Sequence, residues 1–195
     1  DTGEFAGHLG DALQKADRDG FEARRAASLA NGKWRGLGFA SYIEACAFPG
    51  AENAEVILEA DGTITLLIGT QTNGQGHGTA YAQVIAGKLG IPIERVRMIQ
   101  GDTDRVKTGG GTGGSRSVPL GAASVDLASK ALIEKIKIIA ADKLEASVGD
   151  IEVDGGFATV AGTDRSISLA DVAAAAPDEA ARSASGAFKQ PEATY

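Results

Sequence analysis

Two hairpin signals, two glycine-rich loops that each run into a helical stretch, and one long helix predict an α+β chain. The architecture expected is a mixed sheet with helices packed on one face. The first hairpin is the clearest: Asn53–Ala60 and Thr63–Thr70 are β-rich runs separated by Asp61-Gly62, a pair suited to a tight reversal. The long helix is marked by Val125, Ala128, Leu132, Ile136, Ala140 and Leu144, at steps of three and four. The second hairpin is Ile151–Val153 and Phe157–Val160 around Asp154-Gly155-Gly156.

The other elements follow in chain order. Leu9, Ala12, Leu13, Ala16 and then Phe21 to Leu29 give residues 1–31 a helical spacing, read as a connector that ends at Asn31-Gly32. Trp34 to Glu44 reads as a strand whose interior glycines suggest close backbone approach. After the first hairpin, Tyr81, Val84, Ile85 and Leu89 define a helix closed by Gly90 and Pro92, and Arg95 to Ile99 returns as a strand. Ser168-Leu-Ala-Asp171 has the form of a capping box that opens a short alanine-rich helix. From Ala176 the chain turns polar and alanine-rich. The division expected is a helical connector at 1–31, an α+β domain at 32–175 and a linker or arm at 176–195.

Composition narrows the functions. The 195 residues carry a formal charge of −7, which argues against nonspecific nucleic-acid binding and against an anionic membrane surface. No apolar run approaches the roughly 20 residues of a membrane span. One cysteine, Cys46, forbids an internal disulfide and suits a reducing compartment. With one Cys and two His, a zinc or iron–sulfur site built from this chain alone is not expected. The chain begins at Asp1 and has a single methionine, Met98, so it is read as a piece of a longer product.

The chemistry gathers between Gly69 and Ser117. Gly69-Thr-Gln-Thr-Asn-Gly-Gln-Gly-His-Gly-Thr79 and Gly109-Gly-Gly-Thr-Gly-Gly-Ser-Arg-Ser117 each lead toward a helix N-terminus, where backbone N–H groups can face an anion. Gly109-x-Gly111-x-x-Gly114 formally fits the dinucleotide fingerprint, but its spacing from the preceding strand and the following helix is wrong for a βαβ unit. His77 and Ser115 lack the nucleophile elbow of a hydrolase. Gln75, Ser115, Arg116 and Ser117 add donors and acceptors for ring edges and phosphate oxygens. From the residues alone, the loops hold an anionic cofactor of unknown class or are plain surface turns.

At these loops the chain resembles the molybdenum hydroxylases: xanthine dehydrogenases, aldehyde oxidoreductases and carbon monoxide dehydrogenase large subunits. Gly69-Thr-Gln-Thr-Asn-Gly-Gln-Gly-His77, Tyr81 through Pro92, Gly101-Asp-Thr-Asp104 and Thr112-Gly-Gly-Ser-Arg-Ser117 carry the resemblance in family order. It implies part of a molybdopterin-binding domain, with Gly74, Gln75, Gly76, His77, Gly114, Ser115, Arg116 and Ser117 at the cofactor, taken as the cytosine dinucleotide form. It also implies iron–sulfur and FAD groups on partner subunits or domains, a cytoplasmic oligomer, and hydroxylation of an aldehyde, an N-heterocycle or carbon monoxide with water. Arg116 leans toward the carbon monoxide and bacterial aldehyde members. The family's catalytic glutamate lies in a Gly-x-Gly-Glu segment absent from this sequence, so no catalytic residue and no direct metal ligand is assigned here. The chain alone is expected to be inactive. The alternative is a homologous binding module that has lost its cofactor.

Overall fold

The computed structural model describes residues 3–42, 46–47 and 50–191, and the chain forms two compact units, Asp1–Glu44 and Ala45–Tyr195. In the first unit, helices α1 (Phe5–Lys15) and α2 (Phe21–Ala30) meet at a turn in which Asp17 is left-handed and its carboxylate pairs with Arg24. Gly32 closes α2 with a left-handed φ of 68° and donates to Leu29 O, as the Asn31-Gly32 signal predicts. Neither helix buries a residue. The strand expected from Trp34 to Glu44 does not form among its described residues, 34–42, and its last two lie outside them. A strand exists only where its N–H and C=O groups find a neighbour, and no ladder reaches this segment.

The second unit is built on a four-stranded sheet in the spatial order Val96–Ile99, Ile64–Ile68, Ala51–Leu58 and Ser183–Lys189. Strands β1 (Ala51–Leu58) and β2 (Ile64–Ile68) form the expected hairpin, Ala54 opposite Ile68 and Leu58 opposite Ile64. The Asp61 carboxylate accepts from the Thr63 N–H and hydroxyl, fixing the turn and holding its own pKa below the usual carboxylate range. Helix α3 (His77–Leu89) then carries the chain over to β3 (Val96–Ile99), which lies parallel to β2. The sheet is therefore mixed, with one βαβ crossover in it.

Helix α4 (Ala123–Lys143), entered through a π-helical turn at Ser117–Ala122, covers the sheet face. Its Val125, Ala128, Leu132, Ile136 and Ala140 pack with Ala54, Val56 and Leu58 of β1 and Ile64, Leu66 and Ile68 of β2. This one-residue-in-two, three-and-four match between strands and helix is the pattern legible in the sequence. A second, three-stranded antiparallel sheet joins β4 (Ile151–Asp154), β5 (Phe157–Val160) and β6 (Ser166–Ser168). Helix α5 (Leu169–Ala175) follows, capped by Ser168 Oγ accepting from the Asp171 N–H.

The segment 176–195, expected as a linker, is corrected by the fold of its described residues, 176–191. Instead of leaving the domain, it supplies β7 (Ser183–Lys189), antiparallel to β1 with Ile57 opposite Ser183 and Ala51 opposite Lys189. Its composition, Ser-Ala-Ser-Gly-Ala-Phe-Lys, is small because α4 lies directly on it. A Cβ at Gly186 would sit 2.4 Å from both the Ala128 backbone nitrogen and the Ser124 carbonyl oxygen. Small polar residues carry almost no strand signal on their own, so the sequence pattern misses an element that tertiary packing requires. Gly186→Ala is expected to force α4 off β7 and cost about 1–3 kcal/mol, with Gly186→Val costing more. Denaturant midpoints of the two variants check this.

Candidate functional site

Parallel β2 and β3 are neighbours, so the segments that leave their C-terminal ends emerge at the same edge of the sheet. This is the position at which open α/β sheets commonly bind ligands. The first loop, 69–76, leaves β2 and enters α3. The second, 100–116, leaves β3 and enters the π-helical turn. They touch at their stems: a Cβ on Gly69 would lie 2.2 Å from Gly109 Cα, and one on Gly109 2.3 Å from Gly69 Cα. Both positions must be glycine for the backbones to meet this closely. Further out, Thr112 Oγ1 donates to Gln71 O at 2.5 Å, and Gln100 Oε1 accepts from the Thr72 N–H at 3.1 Å.

Within the first loop, Gly74 and Gly76 take positive φ values of 104° and 80°, and nothing occupies the space where a Cβ would stand on either. Thr72 Oγ1 accepts from the Gly74 N–H, while Gln75 Oε1 accepts from Thr72 Oγ1 and the Asn73 N–H. Gln75 therefore holds the turn with its carbonyl oxygen and has its amide NH2 to offer outward. Gly76 leads into α3 without any side-chain cap. His77, the first residue of the helix, is buried, and its Nδ1 has no hydrogen-bond partner among the described residues. Its ring lies against Tyr81, centroids 5.5 Å apart.

In the second loop, Gly114 and Ser115 are consecutive left-handed residues, φ 54° and 55°. For Ser115 that conformation is strained, and such strain gathers at functional sites. Gly114 O accepts from the Ala47 N–H. Arg116 does not point its guanidinium out of the loop. Nη1 donates to Glu52 Oε2 at 2.7 Å and to Gly111 O at 2.9 Å, and Nη2 donates to Ala51 O at 2.9 Å. Ser117 is buried, its hydroxyl 3.0 Å from Thr112 Oγ1. The π-helical turn that Ser117 opens also has no side-chain cap. The structure thus brings all eight sequence-assigned residues to one edge of the sheet, but turns Arg116 and Ser117 inward.

Two further residues organise the site. Tyr81, fully buried on α3, donates its hydroxyl to Ser117 O at 2.7 Å and shares a 2.9 Å hydrogen bond with Thr70 Oγ1. One phenol thereby links the start of the first loop to the end of the second. Burial pushes its pKa above the ordinary tyrosine range, against the hydrogen bond with Thr70, which lowers it. Glu52, fully buried at the start of β1, receives Arg116. The signal for Glu52 was its parity: it stands on the core face of β1 with Ala54 and Val56, where a carboxylate needs donors. Tyr81 reads from sequence as simply another core residue of α3.

With this geometry in view, comparison with known proteins identifies the class. A family model described as a molybdopterin cofactor-binding domain matches residues 11–195, and the chain belongs to that family. It is 35% identical over 179 residues to the large subunit of nicotine 6-hydroxylase from Paenarthrobacter nicotinovorans, covering 85% of this chain and 22% of that protein. It is 32% identical over 188 residues to the carbon monoxide dehydrogenase large chain of Hydrogenophaga pseudoflava, covering 89% of this chain and 23% of that one. Among solved structures, a Cu,Mo-CO dehydrogenase superposes with a TM-score of 0.68 at 29% identity, covering 98% of this chain and 27% of the other. Quinoline 2-oxidoreductase from Pseudomonas putida 86 gives 0.64 at 27% identity, covering 96% and 26%. The chain therefore spans about a quarter of the length of these relatives. The α+β expectation and the family resemblance both hold.

Tyr81→Phe is expected to leave the Ser117 carbonyl and the Thr70 hydroxyl without their partner, costing about 1–3 kcal/mol. A raised folded-state pKa means Tyr81 favours the fold below the roughly pH 10 at which an unfolded tyrosine ionises, and that contribution falls away as pH rises toward the folded value. An absorbance titration of tyrosinate should show one late-ionising group that coincides with alkaline unfolding and is missing from Tyr81→Phe.

Proposed function

We propose that the two loops form part of the cradle for a molybdopterin cofactor in the molybdenum-carrying subunit of a hydroxylase. The observation that carries this reading is the meeting of both glycine loops at one sheet edge, each opening a helical turn with no side-chain cap. Uncapped N–H groups and the helix dipole favour an anion there. Two further features fit a bound group: the open space over Gly74 and Gly76, and the buried Nδ1 of His77, which has no partner among the described residues. In this reading Gly76 and Gly114 offer backbone N–H groups, Gln75 its amide NH2 and His77 a ring nitrogen, while Gly74 and Ser115 shape the two loops that face the ligand. Arg116 and Ser117 act from behind, shaping the second loop. We take the cofactor to be the cytosine dinucleotide form, whose pyrophosphate supplies the anion.

When bound, the cofactor supplies the two-electron oxidation of a small molecule with water as the source of oxygen. The protein's part in this section is to hold the pterin and its phosphates by backbone and amide donors and to fix the loops from below. The substrate classes proposed for the parent subunit are aldehydes, N-heterocycles and carbon monoxide; relatives named for nicotine, quinoline and carbon monoxide support the last two. Electrons would pass to iron–sulfur and FAD groups on partner subunits or domains, in a cytoplasmic oligomer. One relative is named as a subunit of a dehydrogenase complex. No helix of the described residues is long and apolar enough to cross a membrane.

The test is the metal and pterin content of the full-length parent protein. Stoichiometric molybdenum and a released cytosine nucleotide are expected, both falling sharply in Gly76→Val, whose side chain would enter the open space over the loop at a left-handed backbone position. A folded parent that carries neither molybdenum nor pterin would mark the chain as a binding module that has lost its cofactor.

A further inference from the structure

Glu52 lies outside both glycine loops, and the arrangement around it has a direction. Its carboxylate is fully buried, and Oε2 accepts from Arg116 Nη1 at 2.7 Å and from the Gly110 N–H at 3.3 Å. Oε1 accepts from the Asn53 N–H at 3.3 Å. The same guanidinium donates to Gly111 O and Ala51 O, both at 2.9 Å. Gly110 and Gly111 begin the tip of the second loop and Arg116 ends it, so a single ion pair closes the loop at its neck. The first loop is seated on the same group: a Cβ at Gly69 would stand 2.9 Å from Glu52 Oε1. Glu52 is itself anchored, its carbonyl accepting from Ser124 Oγ at 2.8 Å, and that hydroxyl also accepts from the Phe188 N–H at 3.0 Å. The clamp is thus tied to β1, β7 and α4 together.

We propose that Glu52 is the positioning residue of the cofactor cradle, acting through Arg116. It draws the guanidinium inward, away from the ligand, and so holds Gly114 and Ser115 in the left-handed arch of the second loop. A buried ion pair adds little net stability compared with apolar residues of the same volume, but it has only one satisfied geometry. With five glycines among the nine residues from Gly109 to Ser117, the loop has little intrinsic preference for one conformation, and the ion pair supplies the restraint at its neck. This role deepens the cofactor reading of the two loops and depends on it.

The experiment uses the full-length parent protein and three variants: the apolar replacement Glu52→Leu with Arg116→Met, the conservative Arg116→Lys, and Glu52→Gln. Hydrogen exchange of the segment 109–117, pterin content and the thermal midpoint are measured on each. The double variant is expected to unfold near the wild-type temperature, because swapping the whole pair for apolar groups is close to neutral. Its 109–117 amides should nevertheless exchange about tenfold faster, with α4 unchanged and pterin retention sharply reduced. Arg116→Lys, which keeps the charge but loses the fork, should fall between. If the double variant does not fold, Arg116→Lys and Glu52→Gln carry the same comparison. Wild-type exchange across 109–117 in these variants, or faster exchange with undiminished pterin, overturns the proposal. A wild-type parent without pterin would instead refute the cofactor reading, and loop exchange would still decide whether Glu52 holds the loop.

Discussion

A carboxylate buried completely beneath a sheet must find donors, and Glu52 finds them in the two ends of the second loop. Around that requirement the functional edge of the domain takes shape. The Arg116 guanidinium satisfies the charge and, in doing so, fixes where the loop begins and ends. The glycines at 69 and 109 let the first loop settle against the same carboxylate, because any side chain there would overlap the opposing backbone. The Glu52 backbone, through Ser124, binds this assembly to the long helix. An interaction that contributes little to stability thus decides geometry.

The second constraint is topological. A parallel crossover from β2 through α3 to β3 delivers two loops to the same end of adjacent strands. An antiparallel return would have placed them at opposite ends. Tyr81 then ties the loops together from inside the core, its hydroxyl shared between Thr70 and the Ser117 carbonyl. The loops are mobile in composition but are held at the neck by charge, at the stem by backbone contact and at the back by a phenol. Their tips, with uncapped helix starts on either side, are what remains for a ligand.

Much of the fold was legible in the residues. Asp61-Gly62 marked the first hairpin, Gly90 the end of α3, the three-and-four steps the long helix, and Ser168 the cap of α5. Each of these signals is local: a turn, a cap or a periodicity is set by near neighbours in the chain. The misses share the opposite cause. Ser183–Lys189 has no strand pattern, and becomes β7 because β1 has an open edge and α4 needs a small-residue floor. Trp34 onward has the aromatic and glycine content of a strand, but among its described residues no partner edge is supplied.

The candidate site divides in the same way. The glycine loops, their order and their lead into helices were written in the sequence, because backbone freedom and helix starts depend on residue type at consecutive positions. That Gly69 meets Gly109, that Arg116 turns inward, and that Glu52 and Tyr81 support the site were decided only by tertiary structure. Those contacts join residues 36 to 64 positions apart, and no local rule sets a distance across a sheet.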